Sequence, residues 1–294
     1  MELKKYDSFV MGHISIDENI YQGEMVKEIG GAVLYSSCAS HAIGHKIGIL
    51  TKLSPSDRKY LEEFTVFKED ITALDSKNTT SIRNIYHSID RERRTCTALS
   101  IADPFTLGDI PENIDSRIYH FAGLILGEFN SEMIRFLHHK GKVALDVQGF
   151  LRNVSKNKEM VFIDWGEKKE CLPYIDYLKT DAAEAEIMTG TKDREKAAKI
   201  LFEWGSKEIM ITHHKEVLIY DGKKHYTCPL KPRNLSGRTG RGDTCFSTYI
   251  TERLNKGIEE ALLFAAALVS LKMEEPGPFK GTRDDVKNYI NKYY

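Results

Sequence analysis

The chain has 294 residues, 41% hydrophobic and 29% charged, and its 42 Lys and Arg against 43 Asp and Glu leave a formal charge of -1. That length sustains a sizeable core without covalent staples, and the charge balance gives no electrostatic case for a nucleic-acid partner or an anionic membrane surface. Five dispersed cysteines (Cys38, Cys96, Cys171, Cys228, Cys245) with no CxxC pair argue for reduced thiols and against a zinc knuckle.

No apolar run approaches the roughly 20 residues needed to cross a bilayer. The start, MELKKYDSFVMGHISID, lacks a signal-type apolar core and cleavage site. The expectation is a cytoplasmic protein that engages no membrane.

In chain order, apolar runs that read as strands cover Phe9 to Ile16, Ile47 to Leu50, Ile118 to Leu126, Val143 to Val147, Ile175 to Leu178 and Ile209 to Thr212. Several are continuous rather than alternating, as in parallel strands covered on both faces. Between them, Ala32 to Ile43, Ser131 to Lys140, Ala182 to Thr189 and Arg194 to Trp204 read as covering helices. The pattern predicts a doubly wound, mainly parallel α/β sheet flanked by helices.

Two segments break the alternation: Asp17 to Val26 and Thr79 to Ile101, rich in β-branched and aromatic residues, the second turning at Asp90-Arg91-Glu92. They predict a small β lid, spanning about 14–28 and 79–101, on a single domain of residues 1–294, since no repeat or linker appears. Asp221-Gly222 within VLIYDGKKHY predicts a β-hairpin.

The stretch Thr239-Gly240-Arg241-Gly242-Asp243 precedes TCFSTYITERLNKG, where Cys245, Phe246, Tyr249, Ile250 and Leu254 fall near helical spacing. A helix beginning around Asp243 or Thr244 puts these glycines at its N-terminus, where unpaired N–H groups and the helix dipole favour an anion. A carboxylate there repels a phosphate but can take the proton of a hydroxyl attacking it. These residues alone leave two readings open for Asp243: a helix cap, worth about 1 kcal/mol, or a general base. The embedded Arg-Gly-Asp is a three-residue match of the kind chance supplies.

TGRGDTCFSTYI resembles the C-terminal signature of the ribokinase-like, or PfkB, carbohydrate kinases, D-T-T-G-A-G-D followed by a helix. The resemblance extends over nearly the whole chain in order. Gly12-His13-Ile14-Ser15-Ile16-Asp17 is similar to the family's first strand with its closing Asp, Gly30-Gly31 before a helix to its Gly-Gly substrate motif, Asp181-Ala182-Ala183-Glu184 to its Asn-x-x-Glu, and Thr212 to the Thr opening its nucleotide loop.

What the resemblance implies is an ATP- and Mg2+-dependent kinase acting on a hydroxyl of a small sugar, cyclitol or nucleoside. Asp243 would be the catalytic base and the Gly240, Arg241 and Gly242 amides the anion hole. Asp17, Gly30 and Gly31 would hold the acceptor, while Asp181, Glu184 and Thr212 serve the nucleotide, with Glu184 reaching the metal through water. The small polyol and ATP are its expected partners, and the exposed edges of the lid strands offer a way to pair as a homodimer.

Four positions depart from the family pattern. Tyr35 stands where many relatives carry a sugar-binding Asn, which turns the expectation from ribose toward inositol-like polyols or nucleosides. His213-His214-Lys215-Glu216-Val217 replaces a glycine-containing loop, so the path around the nucleotide must differ. Gly237 replaces the Asp that helps organise a monovalent-cation site in the family, and Arg241 stands where the family has a small residue, either to reach a phosphate or to face solvent or pair with an acid. The Ala265-Ala266-Ala267 run resembles the family's last helix near the adenine; otherwise its small residues allow close helix packing.

A second class of function is a catalytically weak nucleotide- or metabolite-binding regulator on the same scaffold, motivated by the altered positions at Tyr35 and after Thr212. A Rossmann dehydrogenase is excluded because no G-x-G-x-x-G follows the first strand.

Overall fold

The computed structural model describes residues 2–87 and 94–294. From the N-terminus come β1 (Lys4–Met11), β2 (Ser15–Tyr21), β3 (Glu24–Gly30), α1 (Ala32–Ala42), β4 (Ile47–Leu53), β5 (Ile71–Asp75), β6 (Ser81–Tyr86), β7 (Arg94–Ser100) and β8 (Ile114–Phe121). The central part holds α2 (Ser131–His138), β9 (Lys142–Asp146), α3 (Gln148–Leu151), β10 (Arg152–Val154), β11 (Met160–Phe162), α4 (Lys168–Cys171), β12 (Tyr177–Asp181), α5 (Ala182–Thr189) and α6 (Arg194–Glu203). The chain closes with β13 (Glu208–Thr212), β14 (Glu216–Tyr220), β15 (His225–Pro229), α7 (Arg241–Glu252), α8 (Ile258–Lys272) and α9 (Arg283–Tyr293).

One 9-stranded sheet runs β15-β14-β13-β12-β9-β8-β1-β4-β5. It is parallel from β5 to β13 and antiparallel across β13, β14 and β15. Both faces are covered, which is why its strands read as unbroken apolar runs. Along β13, Ile209 and Ile211 pack toward α2, α5 and α6, whereas Met210 packs toward α7 and α8. Strand order reverses between β1 and β8, and such a switch opens a crevice beyond the carboxyl ends of the strands.

A second, 4-stranded sheet has the order β3-β2-β6-β7. The expected turn at Asp90-Arg91-Glu92 lies outside the described residues.

Two expected strands are shorter than their apolar runs. Phe9 to Ile16 is divided, because beyond β1 the His13 N–H donates to the Glu128 carboxylate at 2.6 Å and the Ile14 N–H to the Thr51 hydroxyl at 3.1 Å, side-chain acceptors rather than the backbone of a neighbouring strand. Ile118 to Leu126 stops at Phe121, because the Leu124 N–H at 2.7 Å and the Ile125 N–H at 3.3 Å donate to the same carboxylate. Buried Glu128 therefore ties together the ends of β1 and β8 at the switch point. Among the described residues no helix is long and apolar enough to cross a membrane.

Candidate active site

The helix carrying Asp243 starts two residues earlier than its spacing suggests. Gly240, with φ 75, is the N-cap of α7, and Arg241, Gly242 and Asp243 form its first turn. Asp243 is therefore not the cap. It lies inside a turn whose first amides have no i−4 partner, although the Arg241 N–H makes a long 3.4 Å contact with the Arg238 carbonyl. From α1, the Ser36 hydroxyl donates to the Asp243 carbonyl at 3.3 Å.

The left-handed cap explains the glycine at 240. A Cβ there would lie 2.2 Å from the Tyr35 ring, so Tyr35 packs against the glycine loop that precedes α7. That is what occupies the position of the family's Asn: a buried ring on the loop.

Burial, with Asp146 adding negative charge, raises the Asp243 carboxyl from 3.8 to about 6, while Lys179, Lys272 and Arg152 oppose the rise. Two of these neighbours form a buried pair, the Lys179 ammonium donating to Asp146 at 2.8 Å. Burial alone would lower Lys179, but Asp146, Glu184, Asp243 and Asp181 hold it well above its ordinary value. A Cβ at Gly242 would lie 3.3 Å from Lys179 Nζ, so this cation sits directly beside the first turn of α7.

Asp17 differs from expectation in its element. It is the third residue of β2, in the smaller sheet, rather than the end of the first main strand. Its Oδ1 is buried with no hydrogen-bond partner among the described residues. Burial raises it from 3.8 to about 6, against the pull of Ser15, Arg152 and Arg94.

Gly30 and Gly31 close the same corner. A Cβ at Gly30 would lie 3.1 Å from Asp17 Oδ2, and one at Gly31, φ 107, would lie 2.5 Å from the His13 carbonyl. Arg152, buried at the start of β10, influences Asp17 and Asp243 alike.

Asp181 and Glu184 form a reciprocal capping box at the start of α5, each backbone N–H donating to the other's carboxylate at 2.8 Å. The acid at its end is not exposed, as it would be for a simple surface cap: Glu184 is only 2% accessible, although Ala183 in the same turn is exposed. Burial raises it from 4.5 to about 8, with Lys179 opposing and Asp181 and Asp146 reinforcing. Thr212 pairs with Asp181 in register across β12 and β13.

Beyond Thr212 the chain turns back within His213 to Lys215, closed by a 3.0 Å bond from the His213 N–H to the Glu216 carbonyl. The His213 and His214 rings lie 4.0 Å apart in this turn. Burial first, then His214 and the charges of Arg194 and Arg241, hold His213 below its usual value. Ala265, Ala266 and Ala267 are fully buried between the main sheet and the neighbouring helices, where their small side chains allow close packing.

The profile described as pfkB family carbohydrate kinase matches residues 3–283. The chain belongs to this family. It is a phosphotransferase with an alcohol group as acceptor, on a ribokinase-like fold. A pyrophosphate-dependent kinase in the ribokinase family, complexed with a pyrophosphate analog and myo-inositol, is 34% identical, with a TM-score of 0.85 over 95% of this chain and 99% of that one. The cytidine kinase of Thermococcus kodakarensis is 28% identical over 249 residues, 81% of this chain and 84% of the relative. Ribokinase of Arabidopsis thaliana, at 17% identity and a TM-score of 0.77 over 98% of this chain and 99% of that one, shares the fold.

The motif reading missed Asp146, Arg152, Lys179 and Lys272. Asp146 and Lys179 did leave a trace: each is a charge near the end of an otherwise apolar strand run, in KVALD and YLKTD. Arg152 and Lys272 left none, because their place beside Asp243 depends on long-range packing.

Proposed function

We propose that this chain phosphorylates a hydroxyl of a cyclitol of the myo-inositol type with inorganic pyrophosphate as donor. The observation that carries the acceptor site is Asp17, whose Oδ1 is buried without a hydrogen-bond partner among the described residues, beside Gly30; Asp17 and Asp243 are both raised to about 6, and Arg152 acts on each. Asp17 and the Gly30-Gly31 backbone hold acceptor hydroxyls, and the sheet β3-β2-β6-β7 closes over them as a lid that excludes water.

Asp243 accepts the proton of the attacking hydroxyl. The acceptor oxygen forms its bond to phosphorus as the bridging P–O bond breaks, and inorganic phosphate leaves. The Gly240, Arg241 and Gly242 amides, with Lys179 behind them, stabilise the charge on the transferring group.

The donor assignment draws on the relatives at 33% and 34% identity that use pyrophosphate. It draws also on the tight His213 to Lys215 turn and the packed Ala265 to Ala267 run, which offer little to a nucleoside. ATP is the second reading, favoured by the Asp181–Thr212 juxtaposition, residues that the family resemblance assigns to the nucleotide.

Asp181 and Glu184 suit magnesium with either donor: they are hard oxygen ligands, and the raised Glu184 is a carboxylate that a nearby cation would keep ionised. Bound there, magnesium supplies positive charge to the donor's phosphate oxygens.

The test is phosphorus NMR of the purified full chain with Mg2+, offering myo-inositol, ribose or cytidine with pyrophosphate or ATP. Ester formation from myo-inositol and pyrophosphate is expected. Turnover with ATP alone transfers the donor assignment to the second reading, and no ester from any acceptor refutes the proposal.

A further inference from the structure

Lys272, the last residue of α8, is 2% exposed. Its ammonium donates to the Gly237 carbonyl at 2.6 Å and the Thr239 carbonyl at 2.5 Å, immediately before the first anion-hole residue. The Tyr35 ring, already packed against Gly240, lies with its centroid 5.1 Å from the same ammonium. Two carbonyls and an aromatic face thus form a cation cradle, and the cation in it belongs to the chain.

The family resemblance implies a monovalent-cation site organised by an Asp at position 237. The residues present do not fit one. A Cβ at Gly237 would fall 1.7 Å from the Glu275 carbonyl, so no carboxylate side chain can be carried there. The Gly237 N–H is tied to the Met273 carbonyl at 2.8 Å, and the loop carbonyls a cation would use face Lys272.

The consequence follows from the geometry of one peptide unit. The Thr239 carbonyl and the Gly240 N–H belong to the same planar trans peptide and point in opposite directions. Fixing that carbonyl on Lys272 aims the Gly240 N–H away from the ammonium, at the cap of α7.

We propose that Lys272 is a positioning residue, a tethered ammonium that orients the anion-hole loop in place of a free monovalent cation. The proposal rests on the reading of Gly240 to Gly242 as the anion hole.

The first measurement needs no mutation: turnover of the full chain with potassium, ammonium or tetramethylammonium at matched ionic strength, with rates expected within about twofold of one another. Lys272→Met should lower kcat roughly tenfold to a hundredfold, with little change in acceptor KM, and should become activated by potassium or ammonium. Lys272→Arg, which keeps the charge and can reach both carbonyls, should retain more activity than Lys272→Met. A merely structural lysine would leave no such cation dependence behind.

Strong potassium activation of the wild type, or full kcat in Lys272→Met, overturns the proposal. If Lys272→Met does not fold, the wild-type cation series and Lys272→Arg decide. Calorimetry with inorganic pyrophosphate separates this inference from the functional reading. If the wild type binds pyrophosphate without cation dependence and Lys272→Met binds more weakly, the loop assignment stands even where no acceptor is phosphorylated. Pyrophosphate affinity that ignores the substitution overturns it.

Discussion

Asp243→Asn separates two consequences of placing a carboxylate in the first turn of α7. Its folded-state value is raised from 3.8 to about 6. Between those values the folded protein holds a proton that the unfolded chain has released, so stability falls as pH rises through this window and stays lower above it. A shift of about two units corresponds to about 3 kcal/mol. Asp243 shares its field with Asp146 and with Lys179 and Lys272, so the net cost is about 1–3 kcal/mol. Asparagine has nearly the same shape without the charge.

The variant should therefore melt roughly 2–5 °C higher than wild type above about pH 7, for a chain of this size, and the gap should vanish as pH falls below about 4. Loss of the base should lower kcat by about a hundredfold or more, and the wild-type rate should rise with pH through about 6 as Asp243 ionises. Calorimetric melts across this pH range, run beside single-turnover rates, read both effects. A variant that melts below wild type at neutral pH refutes the electrostatic reasoning. One that keeps near-normal turnover removes Asp243 from the role of base.

Gly240→Ala should cost about 1–2 kcal/mol for its left-handed φ and a further 1–3 kcal/mol or so for the clash with Tyr35; denaturant titration should show Tyr35→Ala recovering the second part and not the first. Lys179→Met leaves buried Asp146 and Asp243 without their nearest cation, so it should destabilise by about 3–5 kcal/mol and move the acid limb of the pH–rate profile above about 6. Burial would raise Glu252, but His45, Arg283 and Lys256 bring it from 4.5 down to about 2, so its contribution is full above 4.5 and is lost as pH falls through about 2. Glu252→Gln should therefore cost about 3 kcal/mol at neutral pH, with a melting deficit that narrows in acid. Strand β3 is an edge strand with Met25 and Val26 more than half exposed, so native mass measurement should find a dimer that Val26→Lys dissociates; a monomeric wild type removes that pairing.

Elements whose cause is local could be read from the sequence. The helices Ala32–Ala42, Ala182–Thr189 and Arg194–Glu203 follow from periodicity and neighbouring glycines or capping acids, and the hairpin at Asp221-Gly222 from turn chemistry. Glu128 shows why other boundaries were not legible. It is distant from His13 in the chain, yet its carboxylate takes the His13 N–H and ends an apolar run that otherwise reads as a single strand. In the same way, the first turn of α7 looked as though it began at Asp243 because a left-handed glycine cap leaves no side-chain signal.

The candidate site divides along the same line. Its glycines and carboxylates come in short motifs because each must meet a ligand or a backbone within one turn. Its cations come singly, from β10, β12 and the end of α8. That separation has an electrostatic cause. Asp17, Asp146, Asp181, Glu184 and Asp243 gather at one end of the sheet, and a polyanionic donor cannot approach them unless positive charge is interleaved. Cations brought from other elements can be set by the fold between several carboxylates at once, as Lys179 is, paired with Asp146 and beside Gly242 in the first turn of α7.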